Sequence, residues 1–317
     1  HNSLNYQHIF HSHMKEVGKI WMNGKLVPFK NAKVHVLTHA LHYSTAVFEG
    51  IRCYNTPNGS AIFRLDEHVD RFFNSAKMYS MNIPYSKQQI ENAIIQTVKA
   101  STLRECYIRP IAYYGYGTMG LTPTLNKIDV AIACWEWKIG ESKAGKISGA
   151  RCKVSSWIRI DSCSQPMKAK AASNYANAAL ARVEALKDGY DESIMLNNQG
   201  KVAEGSAENI FIVKNNQIFT PPLTAGILEG ITRDSVIRII EENGEEVIEK
   251  DLDREDLYVA DEVFMTGTAA EVKSVTEIDQ ITIGNGKPGP KTRELQKSFM
   301  SVVMGKDDRF LSWLKYI

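Results

Sequence analysis

Lys170 stands in the run Lys168-Ala-Lys-Ala-Ala-Ser-Asn-Tyr175, among small side chains and directly before a helical pattern. A lysine amine attacks a carbonyl carbon only when neutral, and a close-fitting, partly desolvated pocket favours that form. Small neighbours let a flat ring approach the backbone. Taken alone, the run fits a solvated lysine as well as a buried, reactive one.

Two other stretches suit a phosphate. Leu228-Glu-Gly-Ile-Thr-Arg-Asp-Ser-Val-Ile237 puts a glycine and a hydroxyl at the opening of a helix. Free backbone N–H groups and the positive end of the helix dipole collect there. The same residues also fit an ordinary N-cap at Thr232. Thr266-Gly-Thr-Ala269 is a second such turn, at the end of a strand. Arg71, on the inner side of an expected helix, adds a charged fork or is a surface arginine. Three pieces suited to one phosphate strengthen one another.

Val202-Ala-Glu-Gly-Ser-Ala-Glu-Asn-Ile-Phe211 carries the remaining chemistry. Glu204 interrupts a strand pattern, and a carboxylate there costs stability unless a cation meets it. A protonated pyridine nitrogen would do so, and the carboxylate would keep that ring an electron sink. Glu208 and Asn209 are assigned to local backbone hydrogen bonding.

These residues need a frame. Residues 18–36 read as a β-hairpin turning at Asn23-Gly24. Strands are expected at Glu49–Tyr54 and Ala61–Arg64, helices at Glu67–Tyr79 and Lys87–Leu103, and strands at Cys106–Tyr114 and Lys127–Trp137. The polar, Gly-rich stretch 138–149 reads as an interdomain linker. A strand at Arg151–Ile158 and a helix at Asn174–Lys187 come after it. Then come hairpins turning at Asn197–Gly200 and Asn215-Asn216, a helix at Ile231–Asn243, a strand at Glu262–Met265 and a last helix at Lys291–Met304. The expectation is an α+β fold: an extension at 1–13, a small domain at 14–137, a linker at 138–149 and a large cofactor-binding domain at 150–317.

Bulk properties narrow the function. The 317 residues carry 38 basic and 36 acidic side chains, a formal net charge of +2. That balance lacks the electrostatic footprint of a nucleic-acid or anionic-membrane partner. No apolar run reaches membrane-spanning length. Five scattered cysteines without Cys-x-x-Cys spacing speak against a disulfide framework or a zinc site, and suggest a cytoplasmic setting. Residues 1–13 hold four of the eight histidines and read as foreign to the rest of the chain, with Met14 as the natural start.

With these residues in view, the chain resembles the fold-type IV, pyridoxal-phosphate-dependent class IV aminotransferases, and within them the branched-chain amino-acid aminotransferases. The resemblance rests on Lys33–Tyr43, Val47-Phe-Glu-Gly-Ile-Arg-Cys-Tyr54, Tyr107-Ile-Arg-Pro110, Lys170-Ala-Ala-Ser-Asn-Tyr175, Glu204–Phe211, Gly230-Ile-Thr-Arg-Asp234 and Asp261–Ala270. It runs in order from about residue 17 to the C-terminus.

The resemblance implies a two-domain fold with pyridoxal 5'-phosphate in the interdomain cleft, and amino transfer from L-leucine, L-isoleucine or L-valine to 2-oxoglutarate. It makes Lys170 the Schiff-base lysine and the proton carrier, Tyr175 the partner of the cofactor phenolic oxygen, and Glu204 that of the pyridine nitrogen. Arg71, Ile231, Thr232 and Thr268 would hold the phosphate. The Thr268 and Ala269 amides and Tyr107 would face the substrate carboxylate. Phe48, Tyr43 and Trp137 would wall the side-chain pocket, while Arg109 and the Tyr43 hydroxyl would meet a distal carboxylate. The loop Gly115–Leu121, with Met119 and Leu121, would reach a neighbouring subunit's pocket, in a dimer or a hexamer.

Four positions depart from the family pattern. Ala172 and Ser173 stand where glycines are usual, Ser44 where glycine is common, and no tyrosine follows shortly after Trp137. Tyr114 and Tyr116 would make the inter-subunit loop more aromatic and narrow the pocket. The alternatives on this fold are a D-amino-acid or (R)-amine transaminase and an aminodeoxychorismate-lyase-like enzyme. A non-catalytic relative is disfavoured by Lys170, Tyr175 and Glu204 standing together.

Overall fold

The computed structural model describes residues 16–137 and 149–317. The expected extension at 1–13, Met14 and all of the expected linker except Gly149 lie outside the described residues.

Alternation and turn chemistry build two sheets. Lys19–Met22 pairs with Lys25–Pro28 through Asn23 (φ 49°) and Gly24 (φ 94°), two left-handed residues of the kind a tight hairpin needs. The hairpin stops at Pro28, earlier than expected, and a 3-10 turn succeeds it at Phe29–Asn31. The first sheet runs Leu314–Tyr316, Gly59–Phe63, Ile51–Thr56, Cys106–Tyr114, Ile128–Glu136, Lys19–Met22, Lys25–Pro28, every pair antiparallel. Ala46–Phe48 joins it beside Cys106–Tyr114. Helix Leu65–Met78 buries Leu65, His68, Val69, Phe72, Ser75 and Ala76, the one-face spacing of an amphipathic helix. Helix Lys87–Ser101 starts with a Ser86/Gln89 capping box.

The second sheet runs Val202–Gly205, Glu192–Leu196, Ala150–Val154, Glu271–Ile278, Glu262–Gly267, Asn209–Lys214, Gln217–Thr220, Val247–Glu249. Ala150–Val154 pairs parallel with both of its neighbours, and Gln217–Thr220 pairs parallel with Val247–Glu249. Helices Ala172–Lys187, Ile231–Glu242 and Pro290–Val303 pack on this sheet.

The two sheets are not independent. Tyr54, Ala61 and Phe63 of the first share one buried cluster with Phe211, Phe264 and Val272 of the second. The last strand, Leu314–Tyr316, crosses back to pair with Gly59–Phe63. The expected division of the chain at 138–149 does not foresee that return.

Two strands differ from expectation where the cleft opens. The strand expected at Glu49–Tyr54 runs from Ile51 to Thr56, leaving Glu49 and Gly50 outside it. The strand expected at Arg151–Ile158 ends at Val154, and an irregular segment carries the chain to helix Ala172–Lys187. Single backbone bonds persist there, Glu49 N to Pro110 O at 2.9 Å and Ser155 N to Ile194 O at 2.8 Å, while the side chains turn to other elements.

Candidate active site

Lys170 is delivered by the irregular segment that precedes helix Ala172–Lys187. Its flanking Ala169 and Ala171 are buried in the core of the first sheet, which explains their small size. Alternation along extended backbone then turns Lys170 the other way. The backbone is held on both sides: Lys170 N donates to Ser75 Oγ (2.9 Å), and Phe48 N donates to Lys170 O (3.0 Å). A β-bridge joins Val47 to Ala171. The amine Nζ lies 2.7 Å from the Tyr175 hydroxyl oxygen, and Tyr175 packs edge-on against Phe48 at 4.9 Å.

Glu204 closes the far end of the cleft. A register shift between Val202 and Glu204 marks a bulge in the pairing with Glu192–Leu196, a device that re-aims a side chain. The carboxylate is 5% exposed. It meets the Arg159 guanidinium at 2.6 Å and accepts from Asn209 Nδ2 (3.0 Å) and Leu228 N (3.1 Å). Burial pushes the Glu204 carboxyl up despite the opposing Arg159 charge and the Leu228 amide. A further positive group at this end would lower it again. Arg159 carries no signal in the sequence, where it sits in a run without periodicity. Asn209 goes beyond local backbone bonding, since it also touches Glu204.

The side suited to an anion is built from three elements. Helix Ile231–Glu242 begins at Gly230 with no side-chain cap, so Thr232 is not the cap. Ile231 and Thr232 are nevertheless buried. Buried helix amides need a partner. Thr266, Gly267 and Thr268 line the same cleft, and Thr266 Oγ is buried without a hydrogen-bond partner. The third element, Arg71, is not an open fork. Its Nε and one terminal nitrogen donate to Glu49 at 2.7 and 2.9 Å, and the other donates to Glu229 O at 2.8 Å. Only its remaining edge faces the cleft.

Glu49 is fully buried. Burial alone would raise its carboxyl, but Arg71 and His68 hold it well below the usual carboxylate range. His68 Nδ1 lies 2.7 Å from Glu49 Oε2. Burial keeps the His68 imidazole below its usual value against the pull of Glu49, with Arg71 and Lys170 adding to the lowering. Sequence reasoning assigns neither Glu49 nor His68 a role.

Beside the lysine lies an aromatic shelf. Tyr107 stacks on Trp135 (4.9 Å) and approaches Trp137 (5.7 Å). The Arg109 guanidinium sits 4.7 Å from the Phe48 ring centre, 5.4 Å from Tyr107 and 5.6 Å from Trp135. Trp135 is a shelf member that sequence reasoning passes over in favour of Trp137. Tyr43 is exposed, and its hydroxyl donates to Met119 O at 3.1 Å. Leu121 and Ala269 are exposed as well. Tyr43, Met119, Leu121 and Ala269 do not line the cleft around Lys170, and neither do Phe48, Tyr107, Arg109 and Trp137, although the Phe48 ring centre lies 5.0 Å from Lys170 Nζ. Tyr114 does not narrow it, because its hydroxyl turns inward to Ser80 O at 2.8 Å. Ser44 adopts the left-handed conformation (φ 55°) that makes glycine common there, and Ser173 Oγ bonds the Tyr79 hydroxyl at 2.8 Å.

The cleft is lined by Arg71, Lys170, Tyr175, Glu204, Thr232 and Thr268, drawn from elements of both sheets. An amine beside a phenol, a buried carboxylate and an uncapped helix start with an orphaned hydroxyl converge on it. That donor set fits pyridoxal 5'-phosphate: an aldehyde for the amine, a pyridine nitrogen for the carboxylate and a phosphate for the amides. Among the described residues no group of three or more His, Cys, Asp or Glu is arranged for a metal, and no helix is long and apolar enough to cross a membrane.

Comparison with known proteins gives a concordant picture. The model of the amino-transferase class IV family matches residues 46–278. A branched-chain-amino-acid aminotransferase of Pseudomonas aeruginosa is 44% identical over 296 residues, covering 93% of this chain and 96% of that protein. One from Escherichia coli K12 is 41% identical over 304 residues, covering 96% and 98%. Among solved structures, the branched-chain amino acid aminotransferase from Thermobaculum terrenum in its PLP form superposes with a TM-score of 0.88. It is 36% identical, and the match covers 95% of this chain and 99% of that one.

Proposed function

The chain belongs to the class IV amino-transferases, and from that premise we propose that it transfers the amino group of L-leucine, L-isoleucine or L-valine to 2-oxoglutarate, with pyridoxal 5'-phosphate held in the cleft around Lys170. The observation that carries this reading is the Lys170 amine, fixed 2.7 Å from Tyr175 in a cleft lined by Glu204 and by the Gly230–Thr232 helix start. When bound, the cofactor supplies an aldehyde that carries the amino group and a ring that takes up the electron pair left by the Cα proton.

The protein's residues do the rest. Tyr175, 2.7 Å from the lysine amine, would hydrogen-bond the cofactor's phenolic oxygen. Glu204, kept close to Arg159, holds the proton on the pyridine nitrogen. The Ile231, Thr232 and Thr268 amides and hydroxyls, with the free edge of Arg71, grip the phosphate. The Lys170 amine, once free, would serve as the base that holds and moves the substrate Cα proton. Tyr107 and the Thr268 and Ala269 amides orient the substrate carboxylate. Phe48 and Trp137 shield an aliphatic side chain, and Arg109 meets the distal carboxylate of the 2-oxo acid. Exposed Tyr43, Tyr116 and Leu121 support a dimer at least, in which the Gly115–Leu121 loop completes a neighbouring subunit's pocket. Reduced, scattered cysteines support a cytoplasmic setting. The relatives do not favour the D-amino-acid, (R)-amine or lyase alternatives.

Visible absorption of the purified protein tests this. A yellow band that L-leucine bleaches, absent from Lys170→Ala, is the expected result. Bleaching by D-alanine alone would transfer the function to the D-specific reading, and a protein that stays colourless with added pyridoxal phosphate would remove the cofactor.

A further inference from the structure

We propose that Glu49 and His68 are positioning residues that hold the Arg71 guanidinium at the phosphate end of the cleft, and so set affinity for the phosphate-bearing cofactor without touching it. This inference rests on reading the cleft as a pyridoxal-phosphate site.

Arg71 is a long side chain with two places to go. One edge lines the cleft around Lys170. The same residue also lines an adjoining hollow on the other side, together with Glu67, Asp70, Glu229 and Asp234. Those four carboxylates already pair with Arg64, Lys87, Lys168 and Arg238, but the Glu229 carbonyl oxygen there accepts from one Arg71 nitrogen at 2.8 Å and would draw an untied guanidinium outward. The two short bonds to Glu49, 2.7 and 2.9 Å, tie it instead in a planar fork, the geometry in which arginine and carboxylate lock each other's orientation.

Glu49 is itself fixed. Its Oε2 accepts from His68 Nδ1 at 2.7 Å and from Gly50 N at 3.2 Å. His68 and Arg71 lie on neighbouring turns of one helix, so both sides of the carboxylate are gripped from the same rigid element. The depressed His68 value lets the imidazole donate to Glu49 while neutral, leaving the carboxylate's charge to Arg71. A fully buried carboxylate is costly unless paired in this way. Glu49 directly follows Phe48, whose N donates to Lys170 O at 3.0 Å, so the grip on Arg71 is tied to the segment that presents Lys170.

The test compares two ligands on the full chain stripped of cofactor: pyridoxal 5'-phosphate and pyridoxal, which lacks the phosphate. Glu49→Gln and His68→Leu should weaken pyridoxal phosphate binding by about tenfold or more, the scale of a lost hydrogen bond to a charged group. Pyridoxal binding should be unchanged. His68→Asn, which keeps an N–H donor, should recover part of the loss. Equal weakening of both ligands would overturn the proposal, because it would mark Glu49 and His68 as supports of the fold alone. Should Glu49→Gln fail to fold, the His68→Leu and His68→Asn pair decides the matter by the same comparison. A parent chain that binds neither ligand would overturn the cofactor reading, and this proposal with it.

Discussion

Arg109, which we propose meets the distal carboxylate of the 2-oxo acid, sits in an aromatic setting. Its charge rests over Phe48, Tyr107 and Trp135, and its buried Nε has no hydrogen-bond partner. Cation–π contact partly compensates a half-buried guanidinium, and under the proposed function the same rings would receive an aliphatic side chain. A carboxylate arriving there would gain a charge-assisted bond, whereas a leucine side chain would not need one. Arg109→Leu is therefore expected to raise the KM for 2-oxoglutarate by about 10- to 100-fold with little change in the leucine half-reaction, measured by single-turnover kinetics with each substrate alone. Equal damage to both halves would make Arg109 a brace for the shelf. At this scale the sequence is legible where a residue has a local signature. Lys170 has small neighbours, and Glu204 breaks a strand pattern. Glu49 and Arg159 have none. Their meaning lies in partners 22 and 45 residues away along the chain, and pairing at such separations leaves no trace in a single sequence.

The elements that carry these residues work by leaving backbone groups open. Helix Ile231–Glu242 starts at Gly230 with φ −70°, so the glycine is not there for its conformational freedom. It is there for space: a Cβ would lie 2.0 Å from Asn209 Oδ1. Asn209 in turn bonds both Glu204 and Leu228 O, so the helix start and the carboxylate end of the cleft share one side chain. Gly230→Ala should push Asn209 off both partners at a cost of about 1–3 kcal/mol. Cofactor affinity should fall while far-UV circular dichroism stays unchanged. Unaltered affinity would mean that Asn209 yields without consequence. Turn and helix signals place most elements here within a few residues, including the hairpin at Asn23-Gly24 and the helices at 65–78 and 231–242. The misplaced boundaries fall at Glu49, whose carboxylate pairs with His68 and Arg71, and beyond Val154, where Ser155 bonds Glu184 and Arg159 pairs with Glu204. Periodicity reports burial along one element and is silent on such exchanges.

At the scale of the whole molecule, the cleft stays in register because the two sheets share a core. Phe264, on the second sheet, stacks on Phe211 at 4.8 Å and 5°. Both belong to the cluster that holds Tyr54 and Phe63 of the first sheet and Leu314 of the returning strand. Lys170 adds a second tie, since its flanking alanines are buried in the first sheet's core while its helix packs on the second. If these ties couple the halves, damage on one side must be felt on the other. Phe264→Ala removes a fully buried aromatic ring, and such truncations cost about 3–5 kcal/mol. Trp21 and Trp135 lie in strands of the first sheet and report on the side that the substitution does not touch, whereas Trp313 packs on Phe63 at the shared cluster. Urea unfolding of Phe264→Ala is expected to move the fluorescence and circular-dichroism transitions together to lower denaturant, with one midpoint. A fluorescence transition left where it stands in the parent chain would show that the first sheet keeps its stability alone, and that the shared cluster aligns the cleft without making the molecule one cooperative unit.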